Sequence, residues 1–158
     1  MKTEEITSTI IKFENIKPIN TVEEGIRQGH YSDYYKFITD ETVKLKPETG
    51  EKTIYTVGFN RTIGETEYID LLRRESKKPC TPNYMLGLMA QVREEKMPPK
   101  LRNKYIVAAE PNSVFTDRRG FHCFLCVDRF DVYRRLSLSF VGRGWDDGYV
   151  FLAEDLVS

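Results

Sequence analysis

Histidine is nearly missing from this chain, which holds only His30 and His122 in 158 residues. Acid–base chemistry built on paired imidazoles therefore has one available composition. A two-histidine phosphodiesterase asks for Ser or Thr two residues after each. His30-Tyr31-Ser32 complies and His122-Cys123-Phe124 does not. Cysteine is equally sparse, with three residues at 80, 123 and 126. An odd, small set does not make a disulfide framework and suits free thiols in a reducing compartment. Long apolar runs are lacking too, so no membrane span is expected. The start, Met1-Lys2-Thr3-Glu4-Glu5, has no apolar core of the signal-peptide kind, and a cytoplasmic location is the expectation. Net charge is missing: Lys plus Arg and Asp plus Glu number 24 each. The two halves balance separately, with 13 basic and 14 acidic residues up to Pro79 and 11 and 10 from Cys80. A whole-chain basic footprint for nucleic acid is therefore excluded, although a local basic patch is not. The glycine-rich phosphate loops, the Gly-x-Ser-x-Gly elbow and the His-Glu-x-x-His zinc signature do not occur.

What is present is aromatic and aliphatic. Nine Tyr, nine Phe and one Trp oppose global disorder, and the length suits one domain, 1–158, with its own core. Three regions follow from pattern: a strand–helix–loop region over 1–60, a helical pair over 61–103 and a sheet over 104–158.

Ile6–Phe13 and Thr53–Phe59 read as strands. Thr21-Val22-Glu23-Glu24 has the form of a capping box that opens a helix to about Gln28, with Gly29 as its stop. Thr62-Ile63-Gly64-Glu65 is a second such signal, placing a helix near Glu65–Lys78. Thr81 followed by Pro82 opens a third, near Pro82–Glu94, carrying Tyr84, Met85, Leu88, Met89 and Val92 at helical spacing. From Lys104 the period becomes two. Tyr105–Ala109, Ser113–Thr116, Phe121–Val127, Arg134–Val141 and Tyr149–Leu152 predict strands joined by short turns. The fold class expected is α+β, an antiparallel meander of four or five strands with two or three helices on one face.

In that arrangement Phe121, Cys123, Leu125 and Val127 join Leu136, Leu138 and Phe140 beneath the helices. His122, Phe124, Cys126, Arg135, Ser137 and Ser139 make the outer face. This face, with the turns at Arg118-Arg119 and Trp145, is the predicted ligand surface, formed by His122, Phe124, Arg135, Arg143, Trp145, Arg118 and Arg119. An ordinary solvated sheet face is the competing interpretation. Six arginines lie between Asp117 and Arg143 against three aspartates, close to Phe124, Phe130, Tyr133 and Trp145. That mixture suits RNA or another anion, and equally the turn charges of a meander.

Cys123-Phe124-Leu125-Cys126, beside His122, matches Cys-x-x-Cys. On a strand, positions three apart point to opposite faces, and Phe-Leu makes a poor turn, so no metal site is expected. Asp146-Asp147 and Glu154-Asp155 have no assignable partner and are expected to be solvated charge.

Cys80-Thr81-Pro82, Ala108-Ala109-Glu110-Pro111, the phenylalanine-bearing strand Phe121–Val127 and the Gly142-x-Gly144-Trp145 turn together resemble a group of short uncharacterised bacterial proteins from candidate-phyla genomes. The resemblance covers Cys80–Leu152 and implies one coherent domain without assigning a catalytic residue. The functional expectation is a non-enzymatic binding module for a protein or anionic ligand, with no cofactor. The alternatives are a small metal-independent ribonuclease or nucleotide-processing enzyme using His122 as acid or base with Arg135 or Arg143 on a phosphate, and a structural or assembly protein.

Overall fold

A computed structural model describes residues 5–157. Nine strands form one mixed sheet: β1 (Ser8–Ile16), β2 (Asp33–Tyr34), β3 (Lys52–Phe59), β4 (Lys77–Pro79), β5 (Tyr105–Ala108), β6 (Phe115–Thr116), β7 (His122–Phe130), β8 (Tyr133–Phe140) and β9 (Tyr149–Asp155). The spatial order is β1-β3-β9-β5-β7-β8-β2, with β4 also on β9 and β6 also on β7. Three α-helices accompany it: α1 (Val22–Gln28), α2 (Glu67–Arg74) and α3 (Pro82–Gln91).

The α+β class holds, but the expected antiparallel meander of four or five strands does not. The β7–β8 hairpin is antiparallel, whereas β5 runs parallel to β9 and β2 parallel to β8. The chain leaving β8 passes over β7 and β5 before entering the sheet again as β9. Residues 141–148 make that crossover without a helix and drive Trp145 into the interior, where it bridges Ile63. Such crossovers generally carry a helix, so nothing in the local pattern announced a parallel pair here.

Helices cover both faces of the sheet, not one. On one face Met85, Leu88 and α1 pack over Phe13, Ile54, Ile106, Leu125, Val127, Leu136 and Leu152. On the other, Tyr68, Leu71 and Leu72 of α2 and the Trp145 ring pack over Val57, Val107, Phe124, Cys126 and Phe151. β7 therefore reads as a continuous apolar run because it is buried on both sides.

The Thr21 N-cap forms as expected, Thr21 Oγ1 accepting from the Glu24 N–H at 3.2 Å, but the box does not close, because the Glu24 carboxylate accepts from Arg27 and Gln28 instead. Asp40 adds a second cap, accepting from the Val22 and Glu23 N–H groups. α2 is shorter than the sequence pattern predicts. At its start the Glu67 carboxylate accepts from the Gly64 N–H at 2.7 Å, and Ser76 at positive φ turns the chain into β4. α3 is buried all round from Pro82 to Met89, being sandwiched between the sheet and α1. Gly87 permits this, since a Cβ there would lie 1.8 Å from the Lys17 carbonyl oxygen. Among the described residues no helix is long and apolar enough to cross a membrane.

Candidate functional site

Two of the six arginines between Asp117 and Arg143 are interior, neither of them among the predicted ligand residues. Arg134 is 0% exposed and Arg129 2%. Both grip Glu94, which sits in a 3-10 turn after α3. Arg134 donates from Nε to Glu94 Oε2 at 2.8 Å, and its Nη2 lies 2.6 Å from the same oxygen. Arg129 reaches Oε1 from Nε at 3.0 Å and Nη2 at 2.9 Å. The remaining Arg134 donors go to the carbonyls of Gly29 at 2.7 Å, Met89 at 2.8 Å and Val92 at 2.7 Å. These carbonyls end α1 and α3, so one guanidinium caps two helix C-termini and meets the negative ends of both dipoles. Arg129 Nη1 donates to the carbonyls of Leu101 and Lys104 at 2.6 and 2.8 Å. This cluster welds the β7–β8 hairpin to the helical layer and has no free donor set for a ligand.

The expected outer face is also partly interior. Trp145 is 0% exposed and Phe124 3%. The Trp145 ring packs edge-on against Tyr149 at 5.1 Å and Phe151 at 5.5 Å, and its Nε1 donates to the Glu65 carbonyl. Neither ring can meet a ligand as predicted. Arg143 lies over the Tyr149 and Trp145 rings at 4.8 and 5.7 Å. His122 is exposed at one end of the hairpin. Arg135 pairs with Asp128 six residues further along β7, about 20 Å away at the strand rise, so the two are not brought together. His30, at φ 58°, places its Nε2 3.2 Å from the Ala90 carbonyl and helps close α3.

Cys123 and Cys126 fall on opposite faces of β7, as their spacing predicts, and all three thiols are free and buried. Cys126 donates toward Asp128 Oδ1 at 3.6 Å. Burial pushes the Asp128 carboxyl above its ordinary value, against the opposing pull of Cys126, Arg135, Ser137 and Arg143. The folded state thus binds this proton more tightly than the unfolded chain. Its contribution to stability is full at low pH and falls as pH rises through the ordinary carboxylate range toward the raised folded value. Asp128→Asn is accordingly expected to raise the melting temperature at pH 7 and leave it unchanged at pH 3. Melts of both proteins at both pH values check this, and an equal shift at the two would refute it.

Three of the predicted residues do meet. Arg118, Arg119 and Arg135 line an open cavity of about 310 Å³ together with Asp117, Tyr35, Cys123, Leu138 and Phe140. The Asp117–Phe121 turn positions the first two. Gly120 takes φ 88°, and Asp117 Oδ1 accepts from the Arg119 and Phe121 N–H groups, each at 2.9 Å. Burial pushes the Asp117 carboxyl up, but the Phe121 and Arg119 N–H bonds and the Arg119 guanidinium outweigh it and hold the carboxyl below its usual value. Arg119 lies over Phe121 at 5.0 Å and Phe140 at 5.5 Å. Those two rings pack edge to face at 5.6 Å yet remain 52% and 43% exposed. Arg118 has no carboxylate partner among the described residues, whereas Arg119 pairs with Asp117 and Arg135 with Asp33. Arg135 Nε is screened from solvent and lies 3.5 Å from Asp33 Oδ2, a charge contact without hydrogen-bond geometry.

Larger cavities lie elsewhere among the described residues. One of about 460 Å³ lies between residues 41–48, the start of α3 and residues 110–116. Glu41, Glu48 and Glu110 there oppose Lys44 and Lys46, leaving no dominant sign. Another, about 500 Å³, is a shallow depression beside α1. The arginine cavity joins three cations, the exposed Phe140 ring and the β8 edge. Phe121, Phe140 and Tyr35 were not among the predicted ligand residues, because period two assigned both phenylalanines to the covered face. That face runs out of helix before the end of the hairpin.

No family model, curated protein or solved structure matches this chain.

Proposed function

We propose that this chain is a non-enzymatic binding module that takes an acidic group of a protein partner beside the Arg118-Arg119 turn. The observation that supports this most directly is the arginine cavity, flanked by Phe121 and Phe140 held half in solvent. Exposed, edge-to-face aromatic rings under a guanidinium have the composition of interface anchors. A carboxylate entering there meets Arg118, which has no competing carboxylate. The cavity offers no nucleophile with a nearby base: Cys123 is buried, its thiol pushed up by desolvation and by Asp117, which opposes thiolate chemistry.

The test is titration of an octaglutamate peptide into isotopically labelled protein, followed by NMR, with an equal length of oligouridylate in parallel. Shifts are expected at Arg118–Phe121 and Leu138–Phe140, weakening with salt. Reversing both charges, Arg118→Glu with Arg119→Glu, is expected to weaken binding about tenfold or more, equivalent to about 1.4 kcal/mol. Binding of the oligouridylate but not the peptide at this site would replace the protein partner by RNA. Peptide binding unaffected by the double reversal would remove the site.

A further inference from the structure

We infer that the acidic partner docks as an added β-strand along the free edge of β8, an inference that rests on the arginine cavity being the binding site. In β8 the odd-numbered residues turn their backbone groups toward β7, as the Val141 N–H bonded to the His122 carbonyl at 3.0 Å illustrates one step beyond the strand. The even-numbered residues turn theirs outward. Arg134 and Leu136 find acceptors and donors in the β2 segment: Ser32 N–H bonds the Arg134 carbonyl at 2.7 Å and Tyr35 N–H the Leu136 carbonyl at 2.9 Å. The chain then turns away. Beyond Leu136, β8 has β7 as its one strand partner among the described residues. The outward N–H and C=O groups of Leu138 and Phe140 are therefore left as an open ladder beside the cavity.

An open edge is a template for a further strand. Beyond Leu136 this one lacks the usual protections: Ser137–Phe140 carries no proline and no charge, and its last residue is an exposed phenylalanine. The other edge of the sheet, β1, is by contrast bulged at Asn15 and carries the Lys12–Glu14 ion pair. The occupant's chemistry is indicated by the chain itself. β2 lies on β8 in parallel register, Asp33 opposite Arg135, and its carboxylate meets the Arg135 Nε at 3.5 Å. An acidic strand residue facing an arginine across this edge is thus already present at one position. Continuing along the edge brings the next positions past Tyr35 and level with Phe140, over which Arg119 lies. The Phe140 ring, with Arg119 over it, lies on the face of β8 opposite the one that Asp33 and Arg135 share, so an extended segment carrying its carboxylates on the Phe140 face fits this stretch, its backbone pairing with Leu138 and Phe140 and one acidic side chain reaching Arg118 or Arg119.

The probe is a capped ten-residue peptide of alternating glutamate and valine, compared with the same peptide N-methylated at every residue, which keeps the charge and loses all amide donors. Native-state hydrogen exchange of the intact chain is read at the Leu138 and Phe140 amides. The unmethylated peptide is expected to slow both amides and to bind about tenfold or more tightly than the methylated one, as a main-chain ladder requires. Equal binding of both peptides with no added protection would overturn strand addition while leaving the acidic site standing. Failure of both to bind at millimolar concentration would overturn the two together. Protection that grows with protein concentration in the absence of peptide, with a doubled mass by light scattering, would assign the edge to a second copy and overturn the proposed partner.

Discussion

Glu94→Gln is expected to lower unfolding stability by about 3–5 kcal/mol, the cost of leaving a buried charge without its partner. A domain of ordinary stability has only about 5–15 kcal/mol in total, so the urea midpoint should fall by a large fraction. The substitution keeps the side chain's shape. It removes the charge that two guanidiniums share, one from β7 on Oε1 and one from β8 on Oε2, and turns an NH2 group toward a guanidinium in place of an acceptor oxygen. Arg134→Met tests the other side of the same contact and adds the loss of three carbonyl partners at the ends of α1 and α3. Arg134→Lys does not rescue it, because an ammonium cannot reproduce a planar set of five donors. A midpoint within experimental error of the parent for Glu94→Gln would show that the cluster contributes little and that the helical layer is held by apolar packing alone.

Trp145→Ala is expected to cost a comparable amount, about 3–5 kcal/mol, from lost burial and the cavity left behind. The ring fills the space between the sheet, α2 and the 141–148 crossover, meeting Phe124, Tyr149, Phe151 and Tyr68. Removing it takes the anchor from a connection that has no helix of its own. Trp145→Phe should recover part of the loss but not the Nε1–Glu65 bond. Denaturant unfolding followed by circular dichroism measures both. A loss below about 1 kcal/mol for alanine, typical of a surface change, would mean the crossover is held by its backbone bridge to Ile63. The lone Trp145 lies outside the arginine cavity, so its fluorescence should report unfolding and stay silent on peptide addition.

Much of the architecture was readable from residue order, and the failures have physical causes. The Thr21 cap, the Thr81-Pro82 start and every long strand were legible because each carries a local signal. β2 and β4 were not: two and three residues long, they are strands only because β8 and β9 offer them an edge. The parallel placement of β9 was equally hidden, since it depends on where residues 141–148 travel. For the buried arginines a signal existed. Parity along the hairpin puts Arg129 with Leu125 and Val127, and Arg134 with Leu136 and Leu138, on the apolar face. A charge on that face needs an interior partner, and Glu94 was the nearest carboxylate after a helix ending in carbonyls without donors. The unbroken apolar run Cys123–Val127 likewise announced a strand covered on both sides. Of the seven residues expected to bind, Arg118, Arg119 and Arg135 meet in one cavity, because hairpin turns lie where charge clusters suggest. Trp145 and Phe124 went inward because aromatic area is more stable buried than displayed.

The position of β9 has a consequence for synthesis. It is bonded to β3 on one side and to β5 and β4 on the other, so it is the plank that joins the two halves of the sheet, and it is also the most C-terminal strand. While the ribosome has yet to release residues 149–155, β3 and β5 can exist only as open borders with no neighbour between them. Closure of the sheet must wait for residues 149–155, and the intervening time is spent with sticky borders exposed. Pairings this distant in sequence also close slowly. A holdase shielding the β1–β3 and β5–β8 fragments would do most of its work before that plank slides home.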